Sequence, residues 1–180
     1  MREQADFSAQ GTTAEAQERS GFDVSRVNAV LSHPLFRDSL GRTGMFEVNR
    51  VFCKHGLEHL IDVARISYIL SLESGAAASR ELLYTAALLH DIGRWRQYED
   101  GTPHEEASAD LASRILADCG FNSAESELIL EAILSHRTDD GEKPGFSGMI
   151  YRADKLSRLC MDCLAEDECD WKIKNIRLEY

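Results

Sequence analysis

The chain has 180 residues, 43% of them apolar, which suffices for one ordinary domain with a buried core. It carries 20 Lys and Arg against 31 Asp and Glu, and its net charge of −11 argues against nonspecific binding to nucleic-acid phosphates. An anionic substrate would therefore need cations concentrated at its binding site. The sequence has no run of about 18 apolar residues, so we expect no membrane span and no membrane partner.

The N-terminal segment 1–20 is polar and lacks the apolar core of a signal peptide. We interpret it as a loosely held tail, and residues 21–180 as a single domain. The five cysteines are an odd number in a chain without an export signal, which favours reduced thiols and a cytoplasmic location. The sequence does not predict an oligomeric state.

Apolar residues recur mostly at spacings of three and four, and proline is scarce, so the chain is predicted to be helical. Including capping residues, the predicted helices cover 24–31, 57–72, 79–90, 102–120, 122–136 and 146–160. Loops are predicted at 94–102 and 137–145. The sequence therefore predicts an all-α fold.

Two of these helices begin with strong capping signals. In the segment TPHE, Thr102 is the predicted N-cap, Pro103 suits the first helical position, and Glu105 would complete a capping box. Asn122 and Glu125 give the same spacing at the start of the next helix. Both signals place a helix start within a residue or two.

Six residues that can bind a metal fall on or beside the predicted helices: His59, His90, Asp91, His104, His136 and Asp154. Imidazole and carboxylate together suit Zn, Mn, Fe or Ni. Adjacent side chains on a helix diverge by about 100°. His90 and Asp91 can therefore share a centre only at a helix end, which Gly93 is interpreted to supply. A buried histidine also commonly satisfies a backbone carbonyl, and Asp91 could pair with an arginine, so the spacing leaves both interpretations open.

The order His59, His90-Asp91, Asp154 resembles the HD superfamily of metal-dependent phosphohydrolases. The flanking sequences HLIDVARI (59–66), AALLHDIGR (86–94) and YRADKLSR (151–158) agree with it. The resemblance covers roughly residues 50–160. It implies an HD-domain-like compact bundle of about six to eight helices. In this sequence a Cys-rich segment follows at the C-terminal end.

By position, the resemblance implies that His59, His90, Asp91 and Asp154 bind a first metal ion. Members with two metals add two histidines, and His104 and His136 match those positions. Asp91 would then bridge the ions. The implied cofactor is two divalent transition-metal ions, with Fe, Mn, Zn, Ni and Co as candidates.

Two related patterns fit less well. The GYP triplet of the cyclic-di-GMP phosphodiesterases is missing. One-metal nucleotidases often carry a Glu-Asp pair after the HD motif, and Glu99-Asp100 could be interpreted that way. His104 and His136 favour the two-metal pattern.

The implied activity is hydrolysis of a phosphomonoester, phosphodiester or phosphoanhydride in a nucleotide or another small phosphorylated metabolite. A divalent ion lowers the pKa of bound water towards about 7, which permits in-line attack on phosphorus at neutral pH. Asp91 is expected to orient the attacking water as well as bind metal. Four cations close to the predicted ligands are candidates for phosphate contacts, although each could be a solvated surface charge: Arg94, Arg137, Lys155 and Arg158.

His55 precedes His59 by one helical turn, so the two rings could share a face. His55 could then act as a general acid, as a hydrogen-bonding group behind the ligands or as a phosphate contact. A helix that starts after Gly56 would break this geometry.

The cysteines Cys160, Cys163 and Cys169 form a Cys-x2-Cys-x5-Cys pattern. With Cys53 as a fourth ligand from another segment, they could form a second metal centre that holds a structural Zn or an iron–sulfur cluster. The alternative is that they are free thiols buried as small apolar groups.

Two further functions fit the sequence. A non-catalytic HD module would bind a nucleotide or a protein partner without turnover. An HD-type di-iron oxygenase would use the same six ligands, since they can also hold iron.

Overall fold

The computed structural model describes residues 24–137 and 145–170. The described residues form eight α-helices and one short 3₁₀ helix. In chain order they are α1 (Ser25–Ser32), α2 (Pro34–Phe46), α3 (Leu57–Glu73), α4 (Arg80–Leu89), α5 (Arg94–Glu99), α6 (His104–Asp118), α7 (Ser123–Ser135) and α8 (Gly145–Leu156), followed by the 3₁₀ helix Cys160–Asp162. Residues 24–137 and 145–170 contain no strand, and the all-α prediction is confirmed.

Helix α4 is the centre of the bundle. Residues 85–89 at its C-terminal end are all buried. A helix that is buried all round must be covered on every side, and α1, α3, α6, α7 and α8 all pack against it. Because His90 and Asp91 follow α4 directly, both lie in the interior of the bundle.

Several helix positions agree with the sequence prediction. The helices predicted at 24–31, 57–72, 79–90 and 122–136 are confirmed within one or two residues. The capping box at α7 is also confirmed: Asn122 Oδ1 accepts the N–H of Glu125 at 3.0 Å, and Glu125 Oε2 accepts the N–H of Asn122 at 2.9 Å.

The capping box predicted at Thr102 is wrong. Helix α6 begins at His104, with Pro103 as its N-cap. The N–H and hydroxyl of Thr102 both donate to Asp100, at 2.9 and 2.6 Å, so this hydroxyl is turned away from the helix.

The last helix is shorter than predicted. Helix α8 ends at Leu156, and Cys160 lies in the separate 3₁₀ helix. The Ser157 hydroxyl donates to the carbonyl of Asp154 at 2.8 Å, a local bond of the kind that competes with helix continuation.

Two helices were missing from the sequence prediction. Helix α2 buries Phe36, Ser39 and Thr43, and two of these three are polar, so its apolar period is weak. Helix α5 covers 94–99, where a loop was predicted, and is only 6 residues long with Trp95 as its buried residue. The loop predicted at 137–145 and the tail predicted at 1–20 fall largely or wholly outside the described residues, and the single-domain boundary stays a prediction.

Gly93 is required by a close approach between chain segments. Helix α4 ends at Leu89, just before Gly93 as expected, and the φ of Gly93 is −89°, outside the left-handed region. A Cβ at this position would lie 2.3 Å from the backbone N of Ser108 and 2.4 Å from the carbonyl C of Ala107. The missing side chain therefore lets α6, which carries His104, pack against the segment after α4.

Within the described ranges, no helix combines the length and apolar character needed to cross a bilayer.

Candidate metal centre

Four side chains converge beside the C-terminal end of α4. His59 comes from α3, His90 and Asp91 from the turn after α4, and Asp154 from α8; one donor atom from each lies within 4.8 Å of the other three. His90 Nε2 is 3.2 Å from Asp91 Oδ2, and His59 Nε2 is 3.5 Å from Asp154 Oδ1. We call these four residues group one.

A second group shares Asp91 with the first. His104 Nε2 lies 3.2 Å and His136 Nε2 lies 3.7 Å from Asp91 Oδ1. The two imidazole Nε2 atoms are 3.1 Å apart. We call Asp91, His104 and His136 group two. One oxygen of Asp91 faces each group, which is the placement that a carboxylate bridging two ions would need.

All four histidines of these groups present Nε2 to the centre and use Nδ1 elsewhere. The Nδ1 partners are the carbonyl of Ala87 for His90 (2.7 Å), the carbonyl of Ile133 for His136 (2.6 Å), Ser157 Oγ for His59 (3.2 Å) and Gln97 Oε1 for His104 (2.8 Å). Because the Nδ1 atoms of His90 and His136 face backbone carbonyls, which can only accept, these Nδ1 atoms carry the proton and the Nε2 atoms offer their lone pairs. Histidines that bind metal are oriented in this way.

The centre also contains buried polar atoms without partners. His59 Nε2, His90 Nε2 and Asp91 Oδ1 are buried and make no hydrogen bond. Buried polar atoms in proteins are nearly always paired. Two imidazole lone pairs and a carboxylate oxygen that converge without donors fit a bound cation, so the cluster can hold a divalent metal.

Two of the histidines have a pKa that suits metal binding, whereas Asp91 raises the pKa of His90 against the effect of burial. Burial lowers the pKa of His104 to about 3. Burial also lowers the pKa of His59 below its usual value. Both rings are therefore neutral at pH 7, which is the form that binds metal.

The two carboxyl groups are ionised despite their burial. Burial alone would raise the pKa of Asp91, but His90 and His55 hold it well below its usual range. Burial acts in the same direction on the pKa of Asp154, and Lys155 is the main group that holds it below its usual range. The centre thus contains two buried negative charges.

A buried glutamate binds His55 on the side of the ring that faces away from the centre. Glu47, the C-cap of α2, is 3% exposed. Its Oε1 accepts from His55 Nδ1 at 2.5 Å and from the Tyr98 hydroxyl at 2.7 Å, and its Oε2 accepts the N–H of His55 at 2.7 Å. His55 Nε2 then lies 3.9 Å from Asp91 Oδ2. Although α3 starts only at Leu57, His55 still reaches the centre, because Glu47 fixes it rather than the helix.

The centre opens into a cavity of about 240 Å³ that is rich in cations. Asp91, His104, His136 and Asp154 line its floor. All four cations suggested by the sequence line this cavity, together with one that the sequence did not suggest: Arg94, Arg137, Lys155, Arg158 and Arg50. Glu99 and Asp100, the other candidate acid–base pair, are exposed and are not among the lining residues.

The HD-domain family matches residues 56–159 of the chain. The chain belongs to the HD-domain family. This confirms the resemblance seen in the motifs, and most members of the family are metal-dependent hydrolases.

Several curated proteins are similar to this HD-domain chain. An uncharacterized protein of Clostridium beijerinckii is 43% identical over 159 residues, which cover 87% of this chain and 100% of the relative. Ribonuclease Y of Oleidesulfovibrio alaskensis and ribonuclease Y of Enterococcus faecalis are each 29% identical over 143 residues. That match covers 79% of this chain but 24% of each ribonuclease Y, so the chain spans about a quarter of their length. No solved structure matches the chain.

The four cysteines suggested as a second centre lie beside the HD-domain site. Cys53, Cys160, Cys163 and Cys169 are half-buried free thiols that line an adjoining cavity of about 450 Å³. Within the described ranges, the groups of ligand atoms that lie within 4.8 Å of one another contain no cysteine.

Sequence reasoning missed Glu47, Tyr98 and Arg50. Glu47 and Tyr98 lie 44 and 7 residues from Asp91 along the chain and belong to the two helices that were not predicted. The position of Glu47 at the end of helix α2 could have indicated its role, but the apolar period of α2 is too weak for that helix to be predicted from the sequence.

Proposed function

We propose that this HD domain is a two-metal phosphohydrolase that acts on a small phosphorylated metabolite such as a nucleotide. The main support is Asp91, whose two oxygens face two separate groups of ligands at 3.2 Å from His90 and His104. A cavity lined with cations lies over that carboxylate. A site with one ion would not need group two.

In this proposal each ion has its own ligands. His59, His90, Asp91 and Asp154 would hold one ion, and Asp91, His104 and His136 the other. The ions would supply an activated water and screen the charge on the phosphoryl oxygens. The chain's part is to fix the positions of these donors, which the Nδ1 hydrogen bonds to backbone and side-chain oxygens do.

The cations would select and orient the substrate. Arg94, Arg137, Lys155, Arg158 and Arg50 line the cavity of a chain whose net charge is −11. Guanidinium groups bind phosphate through paired hydrogen bonds, and an ammonium binds it as a point charge. The cavity of about 240 Å³ lies just below the roughly 300–1,000 Å³ of small-molecule pockets. It suits the phosphoryl end of a substrate whose remainder stays outside.

His55 is proposed to move a proton. Glu47 holds its Nδ1 hydrogen, so Nε2 is the nitrogen that points towards the centre, 3.9 Å from Asp91 Oδ2. From there Nε2 can pass a proton to the leaving oxygen. Asp91 would position the attacking water through the two ions that its oxygens would hold.

The first experiment measures metal content. Protein purified without chelator is analysed by plasma mass spectrometry as wild type, His104→Ala and His136→Ala, with His33→Ala as the matched control. His33 caps α2 and pairs with Asp118, away from the centre. Without counting any ion bound by cysteines, we expect about two metal ions per chain in the wild type and in the control. We expect about one metal ion per chain in His104→Ala and in His136→Ala. An unchanged metal content in both variants would contradict it.

The second experiment measures turnover. Nucleoside mono-, di- and triphosphates, diadenosine polyphosphates and short single-stranded RNA are offered under Mn, Co, Ni or Fe. RNA is included because two relatives are named ribonuclease Y, although the net charge of −11 disfavours a long phosphate backbone. We expect phosphate release that is lost in Asp91→Ala. Tight nucleotide binding without turnover, or oxygen consumption by the iron form, would replace the proposal with a binding module or an oxygenase.

A further inference from the structure

Four of the five cysteines surround one cavity. Cys53 precedes α3, whereas Cys160, Cys163 and Cys169 lie in the segment that follows α8. All four line the cavity of about 450 Å³ beside the HD centre. Cys119, at the C-cap of α6, is not among its lining residues. Two segments about a hundred residues apart thus bring their thiols to one place, which the HD ligands do not explain.

Short turns hold the three C-terminal cysteines in place. The N–H of Cys163 donates to the carbonyl of Cys160, and the N–H of Cys169 donates to the carbonyl of Glu166, both at 3.3 Å. Ala165, between them, is 5% exposed and anchors the segment. These turns keep the backbone of the three cysteines within one folded segment.

The cavity holds charges of both signs beside its thiols. Arg158 and Lys54 line it, and so do the carboxylates of Glu58, Asp62, Asp162 and Glu166. Burial raises the pKa of the Cys53 thiol, Arg158 opposes this, and Cys160 and Cys163 raise it further. Three thiols and one guanidinium are thus within electrostatic reach of one another.

The spacing of the sulfur atoms distinguishes between a single ion and a cluster. Tetrahedral Zn with Zn–S bonds of about 2.3 Å places its sulfur ligands about 3.8 Å apart. Among residues 24–137 and 145–170, no three cysteine sulfurs lie within 4.8 Å of one another. The described thiols therefore do not stand at the spacing of the ligands of a single zinc ion. An iron–sulfur cluster spreads its thiolates more widely, because they bind different iron atoms.

We propose that Cys53, Cys160, Cys163 and Cys169 bind an iron–sulfur cluster. Four cysteines are the usual ligand number for such clusters, and three in one short segment with a remote fourth is a known arrangement. Arg158, which already lowers the pKa of Cys53 against the effect of burial, would offset part of the negative charge of the thiolates.

The cluster would also form part of the wall of the HD cavity. Cys53, Arg158 and Cys169 line both cavities, and Glu168 and Asp170 line the HD cavity beside them. A cluster that ties Cys169 to Cys53 would fix the C-terminal segment against the opening through which substrate enters.

The test measures iron and acid-labile sulfide in protein purified without air. Asp91→Ala serves as background, because it removes HD-bound iron from the count. We expect sulfide in about the same amount as iron in this background, with broad visible absorption that bleaches on reduction. Iron without sulfide, or zinc as the metal of the purified protein, would overturn the proposal.

The ligands are tested by single substitutions. Cys53→Ser, Cys160→Ser, Cys163→Ser and Cys169→Ser should each lose most of the sulfide, whereas Cys119→Ser should retain it. Retention of sulfide in Cys53→Ser would overturn the four-cysteine assignment. If a variant fails to fold, the wild-type protein is reconstituted without air with iron and sulfide, before and after alkylation of its cysteines. Alkylation should block cluster formation. Cluster formation in the alkylated protein would refute the site.

Discussion

Glu47→Gln tests whether a buried negative charge holds His55 in place. The substitution keeps the size of the side chain and its acceptor oxygen but removes the charge. Glu47 is 3% exposed and accepts three hydrogen bonds, two from His55 and one from Tyr98. Loss of the charge therefore affects α2, the segment before α3, and α5 together.

The expected magnitude follows from the pKa of Glu47. Burial alone would raise this pKa, but the hydrogen bonds and charge of His55 lower it from 4.5 to about 2. At roughly 1.36 kcal/mol per pKa unit, the ionised carboxylate contributes about 3 kcal/mol to the free energy of unfolding. An acid with a lowered pKa contributes fully above its unfolded pKa and loses that contribution as the pH falls towards its folded pKa. The window here is therefore from 4.5 down to about 2.

The assay is urea unfolding of metal-free protein at pH 7 and at pH 3. Glu47→Gln should be less stable than wild type by about 3 kcal/mol at pH 7, and by about 1.4 kcal/mol at pH 3. Glu127→Gln, an exposed position on α7, is the matched control and should change stability by less than about 0.5 kcal/mol. A difference at pH 7 no larger than that of the control, or one that does not shrink in acid, would refute the reasoning.

Three further predictions concern packing, capping and metal. Gly93→Ala should lower the free energy of unfolding by about 1–3 kcal/mol, because its Cβ would meet the backbone of Ser108. Gly41→Ala in helix α2, where a Cβ would meet no other atom, should raise the free energy of unfolding by about 0.5–1 kcal/mol in the same urea assay. Asn122→Ala should cost about 1 kcal/mol in thermal unfolding, because the capping box of α7 is lost, and an unchanged Tm would contradict this. Mn added at about a hundred times its Kd should stabilise chelator-treated protein by about 2.7 kcal/mol for each ion bound, and the same addition to Asp91→Ala should have no effect.

The sequence predicts those parts of the site that are local. His90 and Asp91 end a continuous apolar run, and a helix buried all round must place its end inside the bundle. The capping box at Asn122 is equally local, since its partners are three residues apart. Such features depend on helix periodicity and on short spacings, which a single chain displays directly.

Other parts depend on tertiary contacts and could not be predicted. Glu47 lies at the end of helix α2 and bonds to His55, which lies beyond that helix. Helix α2 buries Ser39 and Thr43, and because these residues are polar, the helix has no clear apolar period in the sequence. Thr102 has the residue type of an N-cap, but the helix starts one residue later than predicted, with Pro103 as its N-cap, and Thr102 bonds to Asp100 instead. Gly93 has the residue type of a helix cap, whereas the approach of Ser108 gives it another role.

The shared position of Asp91 would make metal loading a linked equilibrium. Its Oδ2 serves group one and its Oδ1 group two, at 3.2 Å from His90 and His104. If one ion changes the affinity of the second by some factor, the second must change the affinity of the first by the same factor. A typical coupling of about 1–3 kcal/mol corresponds to roughly 5–150-fold. The metal that occupies one position would therefore influence which metal fills the other, and the composition of the pair would depend on the concentrations of both metals together.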